Sequence, residues 1–194
     1  MITLKTISNN IINEIVIKNS RFICLIYKLS DSSIDKYINL AKEKYPKATH
    51  YCYGYRFGDM KGSFDDGEPG GTAGLPILGV LEKEDLQNIL VIVVRYFGGI
   101  KLGAGGLIRA YTKAVCEALN NTSKVLLVEG FKVVINFSYS EQKRIDYILN
   151  SSVILEKKYD EDISYIVLIE KDIISKLDGY NYEIIDKVLI EKKA

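Results

Sequence analysis

The sequence predicts a two-domain α+β protein. Its 194 residues suffice for two small domains that each bury a core. Strand and helix patterns occur in both halves, and the second half shows the order βαββαβ. We place the joint between them at residues 126–130, which predicts domains over residues 1–125 and 130–194.

The first half begins with β structure and an amphipathic helix. Residues 14–29 have a strand pattern that a turn interrupts at residues 18–20. Ser32 and Asp35 resemble a capping box, and the apolar stripe that follows predicts a helix over residues 34–45, which a proline ends.

Residues 49–57 alternate between the two faces of a predicted strand. One face is aromatic, and the other carries His50, Cys52, Gly54 and Arg56. Exposed aromatic rings on a sheet stack nucleotide bases, but helices that cover a sheet bury them, so we expect a core face. The opposite face holds the only histidine and is the better candidate for function.

The remaining elements follow from apolar periodicity. In the first half we predict a helix over residues 72–83, a buried strand over 89–94 and a helix over 107–119. In the second half we predict strands over residues 131–139, 153–159, 164–170 and 183–190, and helices over residues 140–149 and 172–177.

Composition favours a cytoplasmic protein without a membrane partner, metal or cofactor. The three cysteines are widely spaced and form no C-x-x-C pair, so neither a disulfide framework nor a zinc site is indicated. The net charge of +1 gives no general nucleic-acid signature. Residues 1–129 carry 16 Lys and Arg against 13 Asp and Glu, however, and residues 130–194 carry 10 against 12, which favours the first half for a polyanion.

Two loops hold most of the glycines. Four of the 15 glycines lie in residues 63–74 and five lie in residues 95–109. Glycine concentrates where the backbone needs a positive φ or a close approach. The second loop joins a strand to a helix whose first amides favour an anion, and Arg95, Lys101 and Arg109 add positive charge.

Known phosphate-binding patterns do not fit the second loop. A Walker A motif requires Lys-Ser/Thr after its last glycine, whereas Ala104 and Gly105 follow Gly103. The dinucleotide pattern has Ile108 at its third glycine. Two interpretations stay open: an anion bound at the helix start, or glycines that permit tight helix-on-strand packing beside solvated basic residues.

Three motifs, in this order and spacing, resemble the signature of the IMPACT family and most closely its bacterial YigZ-type branch. They are ATHYCY at residues 48–53, DDGEPGGTAG at 65–74 and VRYFGGIKLGAGGLIRAY at 94–111. The resemblance implies an N-terminal βαβ sandwich related to the second domain of a small-subunit ribosomal protein. It also implies a C-terminal domain similar to a ferredoxin-like module of elongation factor G.

The same resemblance implies a role in translation. Eukaryotic relatives regulate translation initiation under stress, but they carry an additional N-terminal partner-binding domain. The residues before Glu14 leave no room for that domain, so that partner cannot simply be carried over to this chain.

We predict an anion-binding groove at the second glycine loop, with a wall of acidic residues that the first glycine loop supplies. The groove comprises Arg95, Gly98, Gly99, Lys101, Gly103, Gly105, Gly106 and Arg109, with His50 and Arg56 at its edge, and the wall comprises Asp65, Asp66 and Glu68. The acidic residues are either a metal site or acid–base pair, or they cap the helix near residue 72 and pair with basic residues such as Arg95 or Lys101. We favour the second interpretation.

The predicted function is that of a non-catalytic, translation-associated regulator. It binds RNA, the ribosome or another anionic partner, including a translation-related protein, through the groove. The alternative is an enzyme acting on a small phosphorylated substrate, with Asp65 or Asp66 as base and His50 as a further catalytic candidate. Activation of Cys52 by His50 is disfavoured, because residues two apart on a strand lie about 6.5 Å apart.

Overall fold

The computed structural model describes residues 3–193, which form strands, four α-helices and two short 3₁₀ segments. The strands are β1 (Thr3–Ile7), β2 (Ile11–Ile17), β3 (Ser20–Lys28), β4 (His50–Phe57), β5 (Met60–Phe64), β6 (Ile89–Tyr96), β7 (Lys124–Phe137), β8 (Val153–Tyr159), β9 (Ile163–Glu170) and β10 (Asn181–Lys193). The helices are α1 (Asp35–Lys44), α2 (Gly74–Lys83), α3 (Ala104–Leu119) and α4 (Gln142–Ile148), and the 3₁₀ segments are Tyr139–Glu141 and Ile174–Leu177.

These elements form two compact units. Residues 5–125 make the first unit, and the described residues from 126 onward, with Thr3 and Leu4, make the second. No helix within residues 3–193 is both long and apolar enough to cross a bilayer.

The first unit is a five-stranded antiparallel sheet with helices on both faces. Its strand order is β2-β3-β6-β4-β5. Val91 and Val93 of the central strand β6 pack in the cluster that contains α2 and α3, whereas Leu90 and Ile92 pack on the other side with Ala41 of α1. Because both faces of β6 are covered, its sequence is a continuous apolar run.

The aromatic face of β4 belongs to the core, as expected. Tyr51, Tyr53, Tyr55 and Phe57 are half-buried against the cluster around α1. The Tyr51 hydroxyl donates a hydrogen bond of 2.6 Å to the carbonyl of Tyr45. The rings therefore attach α1 to the sheet and do not form an open surface for stacking bases.

The second unit confirms the predicted element order, with one helix reduced to a 3₁₀ turn. Its sheet has the order β1-β7-β9-β8, and β10 also pairs with β7. Taken without β1, the strands after residue 124 are arranged 4-1-3-2 in chain order, which is the ferredoxin-like arrangement. Buried side chains of β7 and β9, such as Val133 and Val167, pack with Ile145 of α4.

Local details differ from the sequence prediction for identifiable reasons. The Ser32 capping box does not form, because α1 has Ile34 at its N-cap. The Asp31 carboxylate instead accepts a hydrogen bond from the amide of Ser33. Strands β1 and β5 were not predicted. Strand β7 begins at Lys124 and continues through the predicted joint, residues 126–130.

The hairpin between β2 and β3 is held against the second glycine loop. Lys18 and Asn19 form its two-residue turn with positive φ of 45° and 62°, which suits the twist of the flanking strands. The Gly98 amide donates a hydrogen bond of 3.1 Å to the Ser20 hydroxyl. A Cβ atom on Gly98 would overlap the Asn19 carbonyl group, so this position requires glycine for close approach.

Gly98→Ala is expected to destabilise the protein by about 1–3 kcal/mol, because the added methyl group forces the hairpin away from the loop. Gly79→Ala is the matched control: Gly79 lies in α2 with open space around it, and alanine there should stabilise the helix by about 0.5–1 kcal/mol. Urea unfolding of both variants measures the two effects. Equal stability of the Gly98 variant and the wild type would contradict the close approach.

Candidate functional site

A buried carboxylate, that of Glu68, joins the three motifs. Arg95 of β6 donates a hydrogen bond of 2.5 Å through Nη1 to Glu68 Oε1, and the Tyr111 hydroxyl of α3 donates one of 2.7 Å to the same oxygen. The side chains of Arg95 and Glu68 are only 5% and 3% exposed. Burial strengthens the attraction between the two charges. Removing either partner would leave the other charge buried and unpaired, which would lower the stability of the fold.

His50 faces the second oxygen of the same carboxylate. Its Nδ1 lies 2.8 Å from the carbonyl oxygen of Asp66, which can only accept, so Nδ1 carries the proton and donates. In the neutral imidazole, Nε2 is then the unprotonated nitrogen, and it lies 3.8 Å from Glu68 Oε2. His50 thus positions the acidic loop through Asp66 and stands beside the Glu68–Arg95 pair.

Arg95 is buried, at 4% exposed, and is not the free positive charge that the second loop was expected to supply. Its Nη2 donates a hydrogen bond of 3.4 Å to the Ser20 hydroxyl, and its guanidinium lies 5.4 Å from the ring centre of Phe22 and 5.6 Å from that of Phe97. Its Nε is buried and has no hydrogen-bond acceptor in the described part of the chain. Glu68 therefore balances the charge of Arg95, and the Nε–H group remains without an acceptor.

The acidic loop serves backbone amides. Asp65 accepts hydrogen bonds of 2.8 Å from Gly71, 3.0 Å from Ala73 and 2.8 Å from Gly74, at the start of α2. Burial acts to raise the pKa of the Asp65 carboxyl, but these three bonds outweigh it and hold the pKa below its usual value. Asp66 accepts a bond of 2.7 Å from the amide of Tyr51.

The capping interpretation of the acidic residues thus agrees with the geometry, because Asp65 caps the start of α2 and Glu68 pairs with Arg95. Within residues 3–193, no group of three or more His, Cys, Asp or Glu side chains is arranged to hold a metal ion.

Cys52 has the chemistry of a buried thiol. Its Sγ donates to the Asp65 carbonyl at 2.9 Å and lies 3.3 Å from the Tyr111 hydroxyl. Burial is the main cause that raises the pKa of this thiol to about 12. The thiolate, which is the nucleophilic form, is therefore scarce at neutral pH.

A pocket of about 340 Å³ opens at the start of α3, and we call it the loop pocket. Its lining residues are Pro69, Arg95, Phe97, Lys101, Leu102, Gly103, Ala104 and Leu107. Gly103 has a φ of +72°, and the first bond of α3 runs from the Leu107 amide to the Gly103 carbonyl at 2.9 Å. The amides of residues 104–106 precede that bond and so have no acceptor within the helix, and of these residues Ala104 lines the loop pocket.

The glycines of the second loop differ in what requires them. Gly99 and Gly103 adopt positive φ of 85° and 72°, whereas Gly98 permits close packing. A Cβ atom on Gly106 would lie 3.0 Å from the Leu102 Cβ, and one on Gly105 would have Arg109 Nη1 at 3.6 Å. Packing and exposure of backbone amides are therefore combined in one loop.

Of the ten predicted groove residues, Arg95, Lys101 and Gly103 line the loop pocket and the other seven do not, including two of the arginines. Arg109 lines a second pocket of about 270 Å³, which we call the helix pocket, together with Ile17, Lys18, Leu102, Gly106, Ala110 and Lys113. Arg56 lies at the other end of β4 from His50, roughly 20 Å away along the strand. There it donates through Nη1 to the Leu86 carbonyl at 3.0 Å and pairs with Asp85 at 3.3 Å.

Sequence reasoning missed Tyr111 and Ser20. Tyr111 was counted in the apolar stripe of the helix, but a fully buried tyrosine needs a partner for its hydroxyl, and that need is the signal that pointed to a polar neighbour. Ser20 was placed only in a turn. No local pattern indicates that its hydroxyl meets both Arg95 and Gly98.

Comparisons with known proteins cover the same motifs. A family model described as the Impact N-terminal domain matches residues 18–119, which include both glycine loops. IMPACT family member YvyE of Bacillus subtilis (strain 168) is 40% identical over 165 residues, 82% of this chain and 76% of the relative. IMPACT family member YigZ of Escherichia coli (strain K12) is 39% identical over 109 residues, 53% of this chain and 53% of the relative.

A crystal structure described as that of a hypothetical protein has a similar fold. It matches with a TM-score of 0.65 and 26% identity, over 96% of this chain and 98% of its own. The structural match thus extends over both units.

Acid should remove the stabilisation that Asp65 provides. Because its folded-state pKa is lowered, its contribution is present above the unfolded pKa of about 4 and is lost as the pH falls through the folded value. Asp65→Asn is expected to cost about 1–3 kcal/mol at pH 7 and progressively less toward pH 2. Urea unfolding across this range measures the difference, and a gap that stays constant with pH would contradict the assigned role.

Arg95→Met is expected to cost about 3–5 kcal/mol, since it leaves the Glu68 carboxylate buried without its counter-charge. Lys61→Met is the control, because Lys61 pairs with Glu82 at a similar 2.6 Å but with side chains 61% and 42% exposed, and its loss should cost less than about 1 kcal/mol. Urea unfolding measures both. Similar losses for the two variants would show that burial does not determine the strength of the Arg95 pair.

Proposed function

Because this chain belongs to the IMPACT family, we propose that it is a non-catalytic regulator associated with translation, which binds RNA, the ribosome or another anionic partner at the start of α3. The translational context comes from the family resemblance of the sequence motifs, since the eukaryotic members of the family regulate translation initiation. The choice of an anionic partner comes from this chain's own residues.

The loop pocket is the observation that carries the proposal. It brings Ala104, the first residue of α3, together with Lys101, which is exposed and has no ion-pair partner in the part of the chain that the structure describes. Phe97 is 46% exposed at its rim and offers a ring on which a base can stack. Amides, a lysine and an open ring are the groups that bind a nucleotide phosphate and its base.

The electrostatics favour weak, salt-dependent binding. Glu68 balances Arg95, so the pocket's uncompensated charge is that of Lys101 and the partial charges at the helix start. A site with few phosphate contacts loses affinity with salt at a slope of about −0.7 for each phosphate on a single strand. We expect association in the micromolar range or weaker at physiological salt.

Catalysis on a phosphorylated substrate has less support. A general base needs a free carboxylate within reach of the substrate. Asp65 accepts hydrogen bonds from three backbone amides, and Asp66 accepts one from the amide of Tyr51. Both carboxylates therefore have structural duties, and a binding role is favoured.

Lys101→Ala should weaken binding of a fluorescein-labelled ten-residue oligouridylate at least fivefold in 50 mM salt and reduce the salt slope by about 0.7. Lys83→Ala, which removes one exposed charge from the end of α2, is the matched control and should leave affinity unchanged within twofold. Fluorescence anisotropy measures both, with thermal melts to confirm folding. Equal affinity of the two variants would remove the loop pocket from consideration.

A further inference from the structure

Resting on the function proposed above, we propose that the partner is a single-stranded RNA whose backbone continues from the loop pocket across Leu102 into the helix pocket. Lys18, Arg109 and Lys113 would bind its next phosphates. The helix pocket thus extends the site to Lys18 and Lys113, which lie outside the three family motifs.

The helix pocket concentrates positive charge among its lining residues. Of its seven lining residues, Lys18, Arg109 and Lys113 are basic and none is acidic. Lys18 and Arg109 form no ion pair within the described range, and Lys113 has only the exposed Glu117, at 3.5 Å. A pocket of this composition attracts anions and repels cations.

This concentration of charge opposes folding. Arg109 and Lys113 stand one helical turn apart, and like charges at that spacing destabilise a helix. Lys18 adds a third positive charge from the hairpin. Folding alone gives no reason to collect three cations here, whereas a polyanion that neutralises them does.

The fold holds both sets of cations in fixed relation. Gly98 donates its amide to Ser20 and packs against the backbone of Asn19, so the loop that carries Lys101 and the hairpin that carries Lys18 are joined at one contact. A site whose parts are held before binding loses less entropy when the ligand arrives.

The two pockets adjoin, which favours a polymer over a single phosphate. Leu102 lines both of them, so the cations of the two pockets lie on either side of one side chain. An isolated phosphate occupies one pocket only. RNA is favoured over an acidic peptide because Phe97, which is 46% exposed and lines the same pocket as Lys101, offers an aromatic face to an unstacked base.

The test compares two double variants of equal charge. In Arg109→Ala/Lys113→Ala both charges leave the helix pocket, whereas in Lys42→Ala/Lys83→Ala two exposed charges leave α1 and α2. We expect the first variant to bind labelled ten-residue oligouridylate at least tenfold more weakly than wild type in 50 mM salt, with the salt slope reduced by about 1.4. The second should keep the wild-type affinity within twofold.

Ligand length supplies a second readout. Wild type should bind the ten-residue oligouridylate at least tenfold more tightly than uridine monophosphate, and the Arg109→Ala/Lys113→Ala variant should lose most of that gain while still binding the monophosphate. Both double variants replace exposed side chains, and thermal melts report whether each is folded.

The outcomes separate this inference from the proposed function. If Lys101→Ala weakens binding while the two double variants behave alike, the helix pocket plays no part and the loop pocket stands. If polyglutamate displaces the RNA at equal charge concentration, the partner is an acidic protein segment and the RNA assignment is wrong. If wild type binds no oligouridylate at low salt, both proposals fail.

Discussion

The buried carboxylate of Glu68 is the constraint on which the loops of the first unit depend. A charge at this depth must be paired and hydrogen-bonded, and Arg95, Tyr111 and His50 surround it. These partners come from β6, α3 and β4, so one side chain fixes the acidic loop to the sheet and to the helix. The glycine loop between β6 and α3 is thereby held at both ends. The three motifs are separated in the chain, and in the fold they supply different sides of one polar cluster.

The cluster and the proposed binding surface have different duties. Arg95 contributes shape to the loop pocket, but its charge is already balanced by Glu68. Attraction for a polyanion therefore falls to exposed cations such as Lys101 and Arg109, which stand on elements that the cluster holds in place. Separating a rigid interior from a solvated charged rim allows the ligand to be bound weakly without loosening the fold. Such a division suits a protein that must release its partner readily.

The sequence predicted most elements because their signals are local. The apolar run of β6 and the stripe of α3 were found from periodicity alone. Strand β5 was missed because Lys61, Gly62 and Ser63 show no apolar alternation, and the strand forms by pairing with β4. Arg95 was assigned to the anion-binding groove and named with Lys101 as a partner for the acidic residues, but no local pattern singled out Glu68 or the burial of the pair. Its partner Glu68 stands 27 residues earlier in the chain, and only tertiary structure brings the two together.

The turn at Lys18 has an evolutionary consequence. Its backbone adopts a φ of +45°, in a region where glycine and asparagine are tolerated best and a lysine incurs strain. Glycine or asparagine at this position would relieve that strain, as asparagine does at neighbouring Asn19, where φ is +62°. Such a replacement would also remove one of the three positive charges of the helix pocket. Selection for stability and selection for the proposed recognition of a polyanion would therefore act on position 18 in opposite directions.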